Sequence, residues 1–269
     1  VLLKDFSTVD IKDNKIEVTK NSYNLPSGDI KKIVEVLKNI IMQDNSEFIQ
    51  EQDDIKKAAG LDFFDFLTLC LQEQYICCDN DGKFFNDDAI AIKIGNFIYQ
   101  YGEYLKQHSI KKDVINANFN HEEVYVVTDS QGNAAGLAYA IIMALSKKKK
   151  ILFLGDYEGL RKTKNRGSRA ASLLATLMIG VAKRHPDILC VKGNHEINFN
   201  EGYQDLNAVL RGIDRISKGK FQCDTLLSLI YDVINNELAL SIVNTNSDQK
   251  KQIFKHCACP VCNFKQNFQ

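Results

Sequence analysis

VYVVTDSQGN (124–133), ILFLGDY (151–157) and ILCVKGNHE (188–196) decide the fold. Each run opens on aliphatic and β-branched residues and stops at a polar cluster: Asp129, then Gly155-Asp156-Tyr157, then Gly193-Asn194-His195-Glu196. Two helical patterns lie between them. Residues 134–145 are apolar nearly all round, and 168–182 places Ala171, Leu174, Leu177, Met178 and Val181 at helical spacing. Strand, helix, strand, helix, strand predicts an α/β fold with a parallel sheet and right-handed crossovers. Such sheets bind ligands beyond the carboxyl ends of their strands. Those ends carry Asp129, Asp156, Asn194 and His195, oxygen and nitrogen donors suited to a hard cation or to phosphate chemistry.

Outward from this core, residues 1–118 read as a mainly helical accessory region. Asp29 is placed to cap a helix with Ile30, Ile33, Val34, Leu37, Ile40 and Ile41 on one stripe, with Pro26 and Gly28 at its entry. A more polar helix spans 47–59 and ends at Gly60; an apolar one spans 63–77; a long one starts at Asp87 or Asp88. Asp79-Asn80-Asp81-Gly82 lacks the sixth-position Gly and twelfth-position Glu of a calcium loop, so it reads as a turn. The polar, Asn-rich stretch 106–121 marks the boundary, and residues 122–269 form the second unit. No Gly/Ser/Pro-rich linker separates the two, so the helices are expected to pack on the sheet; the region is also a candidate surface for a protein partner.

Composition narrows the function. Lys+Arg and Asp+Glu are both 34, and a formal net charge of zero gives no broad nucleic-acid footprint. No apolar run reaches membrane-spanning length, and VLLKDFSTVD lacks the basic lead and apolar length of a signal peptide. Eight cysteines without disulfide-type spacing fit a reducing, cytoplasmic compartment.

The ordered series GDY, NRG (165–167) and GNHE resembles the calcineurin-like metallophosphoesterase superfamily, closest to its phosphoprotein phosphatase family, over about residues 122–196. The resemblance implies a sheet core flanked by helices and a site for divalent metal, Mn above all, with two ions or one. By that resemblance Asp129 and Gln131 face the first ion, Asp156 bridges, and Asn194 serves the second. The family has His where Gln131 stands, and a neutral amide oxygen is the weaker ligand. His195 matches the general acid, since imidazole exchanges a proton near neutrality. After an insertion at 158–164, Arg166 matches the phosphate clamp and Asn165 the Asp that orients the catalytic His. The inserted Arg161, Lys162 and Lys164 either steer anionic substrates or form a solvated basic loop. The family's later His-Gly-Gly falls on Asn244-Thr245-Asn246, and His256 is the remaining candidate for its last metal ligand.

The Cys-rich tail holds Cys257, Cys259 and Cys262; with His256 they make half a zinc site or a set of free thiols, and Cys77 and Cys78 are candidates for the other half. Three functions follow from the resemblance: a metal-dependent phosphomonoester hydrolase acting on phosphoproteins or phosphopeptides, a pseudophosphatase used as a binding module, or a phosphodiesterase.

Overall fold

The three apolar runs are short, and each becomes a strand only where its neighbours supply pairing. In the computed structural model β6 (Tyr125–Val127), β7 (Ile151–Phe153) and β8 (Ile188–Cys190) are adjacent and parallel, in the order β6-β7-β8. The structure describes residues 8–12, 15–19, 27–80, 82–110, 112–119, 123–128, 130–158, 168–197, 203–235, 237–245 and 251–255. The crossovers are α6 (Ala134–Ser146) and α7 (Arg169–Ala182). Asn133 and Ser168 cap them, each accepting an N–H three residues on, from Gly136 and Ala171.

The sheet is covered on both faces. Ile151, Phe153, Ile188 and Cys190 belong to the large core with the helices. Leu152 and Val191 belong to a second, smaller core with Phe119, Ala239 and Ile242. That second core joins the β6-β7-β8 sheet to another sheet, in which β5 (Val114–Ala117) runs parallel to β9 (Ser241–Thr245) and β10 (Lys251–Phe254) antiparallel to it. A parallel bridge from Val191 to Ala239 stitches the two. The molecule is therefore mixed α/β, with helices on one side of the parallel sheet and a second sheet on the other.

Preceding these are a hairpin, β1 (Thr8–Lys12) with β2 (Lys15–Thr19), and the helices α1 (Ser27–Asp44), α2 (Ser46–Ala59), α3 (Phe63–Leu71), α4 (Glu73–Ile76) and α5 (Asp88–His108). A second hairpin, β3 (Cys77–Asn80) with β4 (Lys83–Phe85), sits before α5. Helix α1 begins two residues before Asp29, which lies in its first turn and is not the cap. Gly60 closes α2 in the left-handed conformation, its N–H reaching Lys56 O at 2.8 Å. The apolar 63–77 run is not one helix: it breaks at Gln72 after a capping box of Asp62 and Asp65. Strand β5 lies inside the polar 106–121 stretch, where its alternately exposed and half-buried residues leave no apolar run to read.

Helices α1, α2, α3 and α5 share one core with α6, α7, α9 (Tyr203–Ile216) and α10 (Cys223–Asn235). Every residue from Ala170 to Ala182 of α7 is buried, against α3, α6, α9 and α10. The junction between the N-terminal helices and α7 is polar as well. Arg184, just past α7, donates to Tyr101 Oη at 3.2 Å, to His108 O at 2.7 Å and to Glu51. Its neighbour Lys183 pairs with the buried Glu237, which accepts the N–H of Ile110 at 3.1 Å.

Candidate active site

At the carboxyl ends of the parallel strands the chain leaves each strand through a tight turn. Gly155 and Asp156 both take positive φ, +88° and +57°, directly after β7. The turn after β6 repeats this with Gln131 (+42°) and Gly132 (+76°). Asp is one of the few L-residues that visits this region, and strain of about 1–3 kcal/mol persists only where surroundings enforce it. Here they do. The N–H groups of Gln131 and Gly132 donate to Asp156 O at 2.8 Å and Tyr157 O at 2.9 Å, joining the first loop to the second.

The second and third loops touch backbone to backbone. A Cβ on Gly155 would lie 2.1 Å from Gly193 N, and one on Gly193 would lie 2.1 Å from Asp156 Oδ1. Only glycine permits that approach. Glu196 then ties the loops from beneath. Its Oε2 accepts from Asp156 N (2.8 Å) and Gly193 N (2.7 Å), and its Oε1 from Tyr157 N (2.8 Å) and Glu158 N (3.3 Å). Burial holds the Glu196 carboxyl above its usual range, an effect the N–H donors of Gly193, Asp156 and Tyr157 offset only in part. Tyr157 adds a further tie: its hydroxyl donates to Val191 O at 2.8 Å.

This scaffold delivers Asp156 and His195 to one place. Asp156 is 2% exposed, its Oδ1 accepts His195 N at 3.1 Å, and its Oδ2 lies 3.9 Å from His195 Nε2. The imidazole is partly open to solvent, while its Nδ1 is buried with no hydrogen-bond partner among the described residues. Glu158 is buried beside them, and its Oε1 likewise lacks a hydrogen-bond partner among the described residues. Burial, then the charges of Glu196, Asp156 and Asp205, push the Glu158 carboxyl well above the usual range and favour its protonated form.

Of the residues singled out from sequence, Asp156, His195 and the backbone of Gln131 are brought together. Asn194 opens α8 (Asn194–Ile197) directly after the Gly193 contact. Asp129, Asn165, Arg166, His256 and the tail cysteines lie outside the described residues, as do Arg161, Lys162 and Lys164. Among the described residues no three His, Cys, Asp or Glu side chains are set to hold a metal ion. At this edge Asp156 supplies a buried carboxylate, an oxygen donor of the kind that hard divalent cations take.

Asn244 has a different role. It is buried, its Oδ1 accepts Phe119 N at 3.0 Å, just past β5, and its Nδ2 donates to Gln252 Oε1 on β10 at 3.0 Å, so both ends of the amide are engaged. Cys77 and Cys78 sit on β3, and burial pushes the Cys77 thiol up to about 12. Glu196 is the residue whose part was not anticipated; its one sequence signal is that it ends the GNHE cluster. No family model matches the chain, and no curated protein matches it, so its function is argued from this geometry.

Proposed function

We propose that this chain is a metal-dependent phosphomonoester hydrolase of the phosphoprotein phosphatase type, with phosphoproteins as substrates. The observation that carries the proposal is the placement of His195 Nε2 3.9 Å from the buried Asp156 carboxylate, on two strand-end loops locked together by Glu196. A parallel sheet with helices on one face and a second sheet on the other supports the same reading. Asp129, Gln131, Asp156 and Asn194 would hold the cation, Mn²⁺ before Mg²⁺, with His256 as the further candidate ligand. A bound divalent ion supplies Lewis acidity and charge neutralisation at the phosphoryl group. Asp156 fixes the site's negative charge where both loops meet, and His195, oriented through its own backbone N–H on Asp156, gives a proton to the leaving alkoxide. Arg166 would clamp the phosphoryl oxygens, and Asn165 would be the partner of His195 Nδ1.

A second reading, the pseudophosphatase, draws on Asn244: at the family's His-Gly-Gly position this chain has an amide committed at both ends to neighbouring segments. One experiment separates the two. Hydrolysis of an aryl phosphate and of phosphopeptides is measured for wild type and Asp156→Asn, with and without Mn²⁺. Wild type is expected to turn over slowly and only with added metal, and Asp156→Asn to fall by about a hundredfold or more. Equal background rates in both proteins under every metal condition would leave the binding-module reading standing.

A further inference from the structure

A cleft of about 630 Å³ opens between the β3–β4 turn and α9, away from the Asp156–His195 pair. Helix α9 lines it with Gln204, Asn207, Arg211 and Arg215, spaced so that they share one face, and the hairpin contributes Gly82 and Phe84. Among the described residues its lining includes two guanidinium groups and no carboxylate. The nearest acids on α9 are already engaged. Asp205 accepts from Arg169 Nε at 2.9 Å, and Asp214 accepts Cys223 N at 3.0 Å. Arg215 is held at the rim by donating to Gly82 O at 2.5 Å, and a Cβ at Gly82 would meet it at 2.8 Å. Both arginines remain exposed.

The first turn of α9 links the cleft to the start of α7. Gln204 lines the cleft, and the next residue, Asp205, grips Arg169 at the start of α7. The charge of Asp205 also reaches Glu158, three residues past Gly155.

We propose that this cleft docks an extended acidic peptide, whose acidic side chains at alternate positions pair with Arg211 and Arg215. Residues four apart on a helix stand about 5–6 Å apart at Cβ, and alternate side chains of an extended chain recur on one side every ~6.6 Å, so the two spacings match. The long arginine arms absorb the difference, and their planar forks suit carboxylate or phosphate oxygens. The buried ring of Phe84 gives the intervening side chains an apolar floor. A lone inorganic anion would use one guanidinium and leave most of the cleft empty. That the peptide belongs to a substrate rests on the phosphatase reading; its binding does not.

The test is fluorescence anisotropy with the full chain and a labelled peptide alternating Asp and Ser, against its Lys–Ser counterpart. The acidic peptide is expected to bind saturably and to weaken with salt, and the basic one not to bind. Arg211→Ala and Arg215→Ala should each weaken binding on the order of tenfold. Arg211→Glu should weaken it further, with thermal melts confirming that each variant folds. Phosphoserine in place of Asp separates the two sources of negative charge: equal or tighter binding supports the pairing. Three results would overturn the proposal: equal binding of both peptides, acidic binding untouched by either alanine variant, or no binding at all. Displacement of the peptide by inorganic phosphate at equal concentration would reduce the cleft to a free-anion site, and tighter binding of a single-stranded oligonucleotide would reassign it to nucleic acid. Repeating the titration on Asp156→Asn keeps the two readings apart. A chain without phosphatase activity that still binds fails only the catalytic proposal, and an active chain that does not bind fails only this one.

Discussion

At the scale of single residues, Glu196 holds the site more tightly than either residue assigned to chemistry. Two N–H groups converge on each of its carboxylate oxygens. Glu196→Gln would turn one oxygen into an amide donor facing two N–H donors, with no room to rotate away in a buried pocket. We expect a loss of about 2–4 kcal/mol in urea unfolding, together with loss of whatever activity wild type has, because Asp156 N is one of the four donors. A variant within about 0.5 kcal/mol of wild type would show that the loops are held by other means. Asp156 and His195 were legible from sequence because each ends a β-type run, and strand ends are where such sheets act. Glu196 was not, because nothing in the order of residues tells a buried carboxylate which backbone donors will surround it. Asn244 was unreadable for the same reason: its partners, Phe119 and Gln252, are distant or polar positions without pattern.

At the scale of elements, the parallel strands were legible and β5 was not. Strands β6, β7 and β8 are apolar runs bounded by turns, whereas β5 is a four-residue segment inside a polar stretch and becomes a strand only by pairing with β9, far along the chain. Helix α6 shows how an element's end can depend on a distant residue. Burial raises the carboxyl of Glu73, on α4, to about 7, partly offset by the backbone of Ala135 and Ala134 at the start of α6. The sign follows. Below the ordinary carboxyl range both folded and unfolded chains hold the proton, and the contribution to stability is complete. As pH rises from about 4.5 to about 7 the unfolded chain releases its proton first, and the contribution is lost. Glu73→Gln removes this group. Relative to wild type, the variant should therefore be more stable at pH 8 than at pH 5, by on the order of 2 kcal/mol. Taking the difference between the two proteins cancels His185, whose burial lowers it to about 4 and which acts in the opposite direction. A difference that stays flat from pH 5 to pH 8 would rule Glu73 out as the titrating group.

For the whole molecule, the N-terminal helices and the sheet behave as one body. Their apolar residues on the helix-covered face of the sheet share one core, and Arg184 joins α2 and α5 to the end of α7. Unfolding followed by far-ultraviolet dichroism and by tyrosine fluorescence should thus give one coincident transition, and two separated transitions would refute this. The buried Glu237 sits where the two parts meet, beside Lys183, whose burial lowers it to about 8 against the pull of Glu237. Glu237→Ala leaves that cation without its partner and should lower stability by about 3–5 kcal/mol in the same measurement. Among the described residues no helix is long and apolar enough to cross a membrane.

Helix α7 has a consequence for how the chain is made. It is covered on one side by segments that leave the ribosome before it and on the other by α9 and α10, which leave after it. At about 5–20 residues per second, a strongly apolar helix waits for seconds with half its surface bare. Nascent chains stalled before residue 203 should bind chaperones and aggregate when released, and those extended past residue 235 should not. If both lengths stay dispersed on release, the bare face of α7 is protected during synthesis by something other than α9 and α10.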